Sequence, residues 1–253
     1  MRNKIIQGDC LLLYKNIASK SVDLILTDLP YGTTACKWDS ILPFDRLWEM
    51  VNYVLKPNGT FITFSQQPFT SALIMSNPKF FKYMMYWRKQ RPSGFVNAKL
   101  KPLKDIEEIC IFSNATTANR SNNNMKYNPQ GLIEVNKNWK RPKTYGTGKG
   151  VNPTRKSHKL ERNIKYEGYP RQVLDFAMHN VGQIHETQKP IDLIEYLLLT
   201  YSDKFDMVYD PCTGSGTTAI ACENLNRYYI CFEKDADICM KANERLDVYT
   251  KLL

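Results

Sequence analysis

Met207-Val208-Tyr209 has the pattern of a short strand, and it runs through Asp210-Pro211-Cys212-Thr213-Gly214-Ser215-Gly216-Thr217 into a helical pattern. No other part of the chain constrains the fold as strongly. Glycines in a strand-to-helix turn let a ligand lie against bare backbone, and such turns belong to open α/β sheets. Asp210 precedes the turn, and Glu233 ends the following strand pattern, Arg227 to Glu233, where a carboxylate can accept both hydroxyls of a ribose. The turn lacks the full Gly-x-Gly-x-x-Gly spacing of a pyrophosphate loop and the Gly-Lys-Ser/Thr ending of a phosphate loop. Far upstream, the apolar run Val22 to Thr27 ends in Asp28-Leu29-Pro30-Tyr31, an acid and an aromatic on a proline-stiffened turn.

The rest of the chain alternates in the same way. Short strands are expected at Ile5-Ile6, Thr60 to Phe64, Phe80 to Arg88 and Ile106 to Ser113, and helices at Leu11 to Ala18, Phe44 to Leu55 and Pro68 to Ser76. Pro57-Asn58-Gly59 reads as a turn between a helix and a strand. Periodicity fades after Asn114 and returns at Thr187, with Pro190 in the first turn of a helix to about Thr200. Helices at Thr217 to Leu225 and Ala236 to Tyr249 close the chain. The pattern predicts an α/β fold: a doubly wound, mostly parallel, Rossmann-like sheet formed by residues 1–113 and 181–253, interrupted by a lobe at 114–180.

Charge marks the same interruption. Residues 114–180 hold 13 Lys and Arg against 4 Asp and Glu, so +9 of the net +10 lies there and the other 186 residues carry +1. Tyr127, Trp139, Tyr145, Tyr166 and Tyr169 are interleaved with those cations, a composition suited to phosphate contact with groove insertion. Lys137, Lys140, Arg141, Lys143, Arg155 and Lys156 are the candidate phosphate contacts. The seven cysteines form no CxxC pair, and no metal site is expected. Reduced thiols, an N-terminus without a signal-like apolar core, and no run of about 18 apolar residues lead to the expectation of a cytoplasmic protein with no membrane contact.

An acid–Pro–Tyr tetrad followed downstream by the Asp-Pro-x-x-Gly-Ser-Gly-Thr loop resembles the S-adenosylmethionine-dependent DNA amino-methyltransferases of the permuted (beta) group. The resemblance covers about three quarters of the chain and leaves the middle unmatched. It implies that Asp210, Gly214, Ser215, Gly216 and Thr217 hold the methionine part of S-adenosylmethionine and that Glu233 holds its ribose. The segment His185-Glu186-Thr187-Gln188-Lys189-Pro190 is similar to one that lines the methionine carboxylate, so His185, Thr187 and Lys189 join the cofactor set. Lys189 at a helix N-terminus is also a sound anion site on physical grounds. Asp9 reads either as a turn cap or, by resemblance, as the acid near the adenine amine.

The tetrad carries the chemistry. An exocyclic amine of a base is a weak nucleophile because its lone pair is delocalised into the ring, and hydrogen-bond acceptors make it more reactive. Asp28 offers a carboxylate, Leu29 its backbone carbonyl, Pro30 a stiff turn, and Tyr31 a face for an extruded base. The family pattern has Pro where Leu29 stands. Asp at the head of the tetrad resembles members acting on adenine N6 more than those acting on cytosine N4. The expected activity is site-specific methylation of adenine N6 in duplex DNA, with 114–180 as target-recognition lobe. Cytosine N4 methylation, an RNA or protein amine methyltransferase, and a degenerate DNA-binding partner subunit remain alternatives. A second copy of the chain and a cognate restriction nuclease are admitted as partners beside duplex DNA.

The charge count generates a first test. Affinity for duplex DNA should fall steeply with salt, and each phosphate contact removed by replacing Lys137, Lys140, Arg141, Lys143, Arg155 or Lys156 with Ala should flatten the log–log slope by about 0.9. A slope that survives replacement of several of them moves the DNA surface elsewhere.

Overall fold

The computed structural model describes residues 2–32, 40–119, 121–140, 161–178 and 188–251. They form two compact units, Met1–Asn128 with Gln172–Leu253, and Pro129–Arg171. In chain order the larger unit begins with β1 (Lys4–Gln7), α1 (Cys10–Leu13, running into a 3-10 turn), β2 (Val22–Asp28) and α2 (Phe44–Val54). It continues with β3 (Leu55–Ser65), α3 (Phe69–Ser76), β4 (Phe81–Ser93) and β5 (Lys104–Ser113). The smaller unit holds β6 (Ile133–Lys140) and β7 (Glu161–Glu167), an antiparallel pair. The chain then returns through β8 (Val173–Phe176), α4 (Ile191–Tyr201), β9 (Met207–Asp210), α5 (Thr217–Leu225), β10 (Tyr228–Glu233) and α6 (Ala236–Thr250).

One eight-stranded sheet has the order β1-β10-β9-β2-β3-β5-β4-β8. β5 alone runs against its neighbours; every other pairing is parallel, giving the mostly parallel sheet expected from the alternation. Alternate residues of the central strands face opposite layers, as strand periodicity requires. Leu24, Leu26, Ile62, Phe64, Val208 and Cys231 pack under α4, α5 and α6. Ile25, Phe61, Tyr209, Ile230 and Phe232 pack under α2 and α3, where Trp48 lies edge-on to Phe61, Phe80 and Phe112 at centroid distances of 5.8, 5.8 and 5.3 Å.

Three local features differ from the sequence expectation. The helix expected through Ala18 ends at Leu13 in a 3-10 turn, Tyr14–Asn16. β3 starts at Leu55, directly after α2, and Pro57-Asn58-Gly59 lies where the pairing jumps from Val22↔Leu55 to Leu24↔Thr60. A proline cannot donate to the ladder, so its turn signal appears as a bulge in the strand. The stretch read as aperiodic contains β6, β7 and β8, and β8 extends the main sheet by pairing with β4. β6 is mostly exposed, and Lys137 interrupts the alternation of Ile133, Val135 and Trp139, which weakens the strand signal.

The entry to α5 is the tightest point of the fold. Gly216 caps the helix at φ +76°, and a Cβ there would stand 3.0 Å from Ile5 Cδ1 and 3.4 Å from Ala242 Cβ. Its missing side chain lets α5, β1 and α6 close on one another. Gly216→Val should therefore lower Tm in ligand-free protein, by on the order of 1–3 kcal/mol of stability for the backbone alone. An unchanged Tm would mean that Ile5 and Ala242 yield freely.

Candidate active site

β2 and β9 are adjacent and parallel, with Leu24 opposite Val208 and Ile25 opposite Tyr209. Continued by one residue, that register sets Asp210 opposite Leu26, so Asp28 lies two residues further on, and both acids reach the carboxyl edge of the sheet, where ligands of open α/β sheets bind. The loops after β1, β2, β9 and β10 surround a cavity of about 590 Å³. Asp9, Asp28, Leu29, Pro30, Tyr31, Lys189, Asp210, Gly214, Ser215, Thr217 and Glu233 all line it. Gly216 does not, because its bare Cα faces Ile5 and Ala242. His185 and Thr187 lie outside the described residues.

At one end, Glu233 accepts the Gly214 N–H at 2.8 Å with one carboxylate oxygen and the Asp235 N–H at 3.0 Å with the other. Each oxygen keeps a lone pair for a hydroxyl. Asp9 is the N-cap of α1, accepting from the Leu11 N–H at 2.9 Å, and it pairs with Lys234 at 3.0 Å. Cap and cavity wall are thus the same carboxylate. Asp210 is 2% exposed. Burial pushes its carboxyl up from 3.8 to about 6, against the opposing hydrogen bonds of the Thr218 hydroxyl and the Cys212 N–H.

The other end is built around Asp28. The Tyr31 hydroxyl donates to Oδ1 and the Lys189 ammonium donates to Oδ2. Burial and the neighbouring Asp28 hold the Tyr31 phenol well above its usual range, so it remains a donor. The Leu29 side chain is buried among Ile25, Phe69 and their neighbours, which leaves its backbone to the cavity. The Tyr31 ring lies 5.4 Å from that of Phe69.

Glu107 on β5 went unnoticed in the sequence. It lines the cavity, lies 3.4 Å from Lys189 Nζ, and bonds Lys89 through its other oxygen. Asp28, Lys189, Glu107 and Lys89 form a row of alternating charge across the sheet. Burial alone would raise the Glu107 carboxyl, but Lys189 and Lys89 outweigh it and hold it below the ordinary range. Burial likewise pulls Lys189 down, and Asp28 and Glu107 more than reverse that. The acidic doublet Glu107-Glu108 at the head of the apolar run Ile109–Phe112 was the available signal, though it resembles any solvated strand end.

Of the six candidate phosphate contacts, only Lys137 and Lys140 are among the described residues. Lys137 is exposed and paired with Glu167 at 2.9 Å. Arg141, Lys143, Arg155 and Lys156 lie outside them.

Known proteins share this organisation. A family model described as DNA methylase matches residues 22–244. Type II methyltransferase M1.MboII of Moraxella bovis is 29% identical over 264 residues, covering 95% of this chain and 95% of that protein. Type II methyltransferase M.HpaI of Haemophilus parainfluenzae is 27% identical over 265 residues, 98% of this chain and 75% of that protein. Among solved structures, the M1.HpyAVI–SAM complex aligns with a TM-score of 0.63 at 23% identity over 96% of this chain and 98% of that one. The cytosine-N4-specific PvuII DNA methyltransferase aligns with a TM-score of 0.65 at 16% identity over 98% and 91%.

The Asp210 environment yields a pH-dependent expectation. Its folded value of about 6 lies above the unfolded one, so the ligand-free fold holds the extra proton. Stability is fully retained below about pH 4 and lost as pH rises through 6, by on the order of 2–3 kcal/mol. Asp210→Asn should remove most of that slope and denature later than wild type at pH 8. Parallel pH–stability curves for the two proteins would refute this account.

Proposed function

Because the chain belongs to the DNA methylase family, we propose that it transfers a methyl group from S-adenosylmethionine to the exocyclic N6 amine of adenine at a specific site in duplex DNA, reading that site through residues 129–171, the smaller unit within the basic 114–180 segment. The observation that carries this reading is a carboxylate, Asp28, held by two donors at one end of a cavity whose other end suits a nucleoside.

The cavity residues fit the cofactor. Its sulfonium and ammonium are cationic, and the walls carry the carboxylates of Asp9, Asp210, Glu233 and Asp235. Glu233 would take the ribose hydroxyls, Asp9 the adenine end, and Gly214, Ser215, Thr217 and Asp210 the methionine part. When bound, S-adenosylmethionine supplies an electrophilic methyl group.

The chain's own residues then act on the base. Asp28 accepts a hydrogen bond from the target amine through a remaining lone pair, and the Leu29 carbonyl accepts the other amine hydrogen. Together they draw the nitrogen lone pair out of conjugation, and Asp28 takes the proton released as the N–C bond forms. Tyr31 offers its face to the extruded base. Lys189 is engaged by Asp28 and Glu107, so it fixes the carboxylate's orientation and charge, a role distinct from the anion site expected of it. Two donors on one acid restrict its rotation, and positioning of that kind supplies much of the rate.

Asp at the head of the tetrad favours adenine over cytosine. The test is mass spectrometry of DNA after incubation with the protein and S-adenosylmethionine. N6-methyladenine should dominate, and Asp28→Ala should abolish it while calorimetric affinity for S-adenosylmethionine changes by less than about threefold. N4-methylcytosine as main product overturns the base assignment. Undiminished turnover by the variant removes Asp28 from catalysis, and cofactor binding by wild type without any transfer supports the partner-subunit alternative.

A further inference from the structure

The basic lobe is not the chain's only cationic segment. Between Arg88 and Lys104 lie six Lys and Arg and no acid, so outside that stretch and residues 114–180 the chain is net −5. The segment is the far end of the β4–β5 hairpin. Pairings of Asp28 with Phe64, Ser65 with Glu108 and Glu108 with Tyr86 bring all four strands to one level. Beyond that level β5 extends back to Lys104 and β4 runs on to Ser93, so the hairpin overruns the catalytic edge by roughly 13 Å at about 3.3 Å per residue. Lys104 and Glu107, on the overrunning part, line the cavity. The tip therefore stands beside its mouth.

That tip is built and not slack. Gly94 takes φ +91°, and the carbonyls of Gly94, Phe95 and Asn97 accept from the N–H groups of Asn97, Ala98, Leu100 and Lys101 at 2.9–3.1 Å. On this closed turn Phe95, Val96 and Leu100 are 66, 98 and 85% exposed. Arg88, Lys89 and Lys104 are engaged by Asp175, Glu107 and Gln66. Arg91, Lys99 and Lys101 are exposed and have no ion-pair partner among the described residues. A solvated turn gains nothing from three exposed apolar side chains ringed by free cations. Duplex DNA matches both parts, with phosphates for the cations and the base stack for an apolar wedge.

We infer that the β4–β5 tip is a second DNA-contacting element, in which Lys99 and Lys101 grip phosphates while Phe95 and Val96 enter the duplex beside the target and occupy space the extruded base leaves. This rests on the DNA-methylating function proposed above. A preformed turn enters the stack without the entropy cost of ordering a loose one.

The experiment compares wild type with Phe95→Ser/Val96→Ser and with Lys99→Gln/Lys101→Gln on an oligonucleotide duplex carrying the site found by sequencing methylated DNA. A second duplex has the target base mispaired. The apolar double variant should bind S-adenosylmethionine as wild type does, lose tenfold or more in kcat on the paired duplex, and recover to within about threefold on the mispaired one, because a mispaired base is easier to extrude. The lysine double variant should bind duplex more weakly at low salt, with a log–log salt slope shallower by up to about 1.8. Kinetics and affinity equal to wild type in both variants, with wild type active, overturn the inference and leave the function standing. Tip-dependent binding to phosphatidylserine vesicles with unaltered DNA affinity overturns it in favour of a membrane contact. A wild-type protein that methylates no DNA removes both claims.

Discussion

The site depends on the parallel seam between β2 and β9. Two residue pairs join them, Leu24 with Val208 and Ile25 with Tyr209. Asp23 reinforces the seam: one carboxylate oxygen accepts the Met207 N–H at 3.0 Å, and the other pairs with Lys56 at 2.7 Å. A single acid thus fastens the starts of β9 and β3 to β2. Without that seam the tetrad and the glycine turn are unrelated loops. The long connection costs little, because the entropy of closing a loop grows only slowly with its length.

The cavity's acids are treated unequally. Asp28 and Glu107 alternate with Lys189 and Lys89, so each buried charge faces its opposite. Among the described residues Asp210 has no cation partner and depends on neutral donors, and burial raises its carboxyl accordingly. A site that leaves one acid uncompensated is poised for a cation. One that compensates another fully is poised to hold a geometry. Both conditions coexist in one cavity because Lys89 stands on β4, four places along the sheet from β9, while Lys189 comes from the chain just before α4.

Elements bounded by strong local signals could be read from the sequence. β9 and α5 lie where Asp210-Pro211 and the glycines punctuate the chain, and the mostly parallel sheet follows from the alternation. The tetrad was legible because its residues are contiguous. Glu107 was not, because it meets Lys189 beside Asp28 only through the parallel β2–β3 and antiparallel β3–β5 registers, which no local pattern encodes. β6 and β7 escaped for the opposite reason: β6 is mostly exposed, and the alternation of Ile133, Val135 and Trp139 in β6 and of Ile164 and Tyr166 in β7 is short and set among charges. The hairpin cations were hidden by arithmetic, since an excess at 88–104 cancels a deficit elsewhere and leaves only +1 on the residues outside 114–180.

The chain leaves the sheet unit at Asn128 and re-enters at Gln172, and both points are fastened. The Asn128 N–H donates to the Thr200 carbonyl at 2.7 Å and its side chain to Asp203 at 3.0 Å, while the Gln172 side chain reaches the Met84 carbonyl at 3.0 Å. Whatever stands between those two clasps is spliced into a scaffold that keeps its own core. If the intervening segment reads sequence, as proposed, then lineages can exchange it like a cartridge, inheriting the chemistry intact while the address it is delivered to drifts.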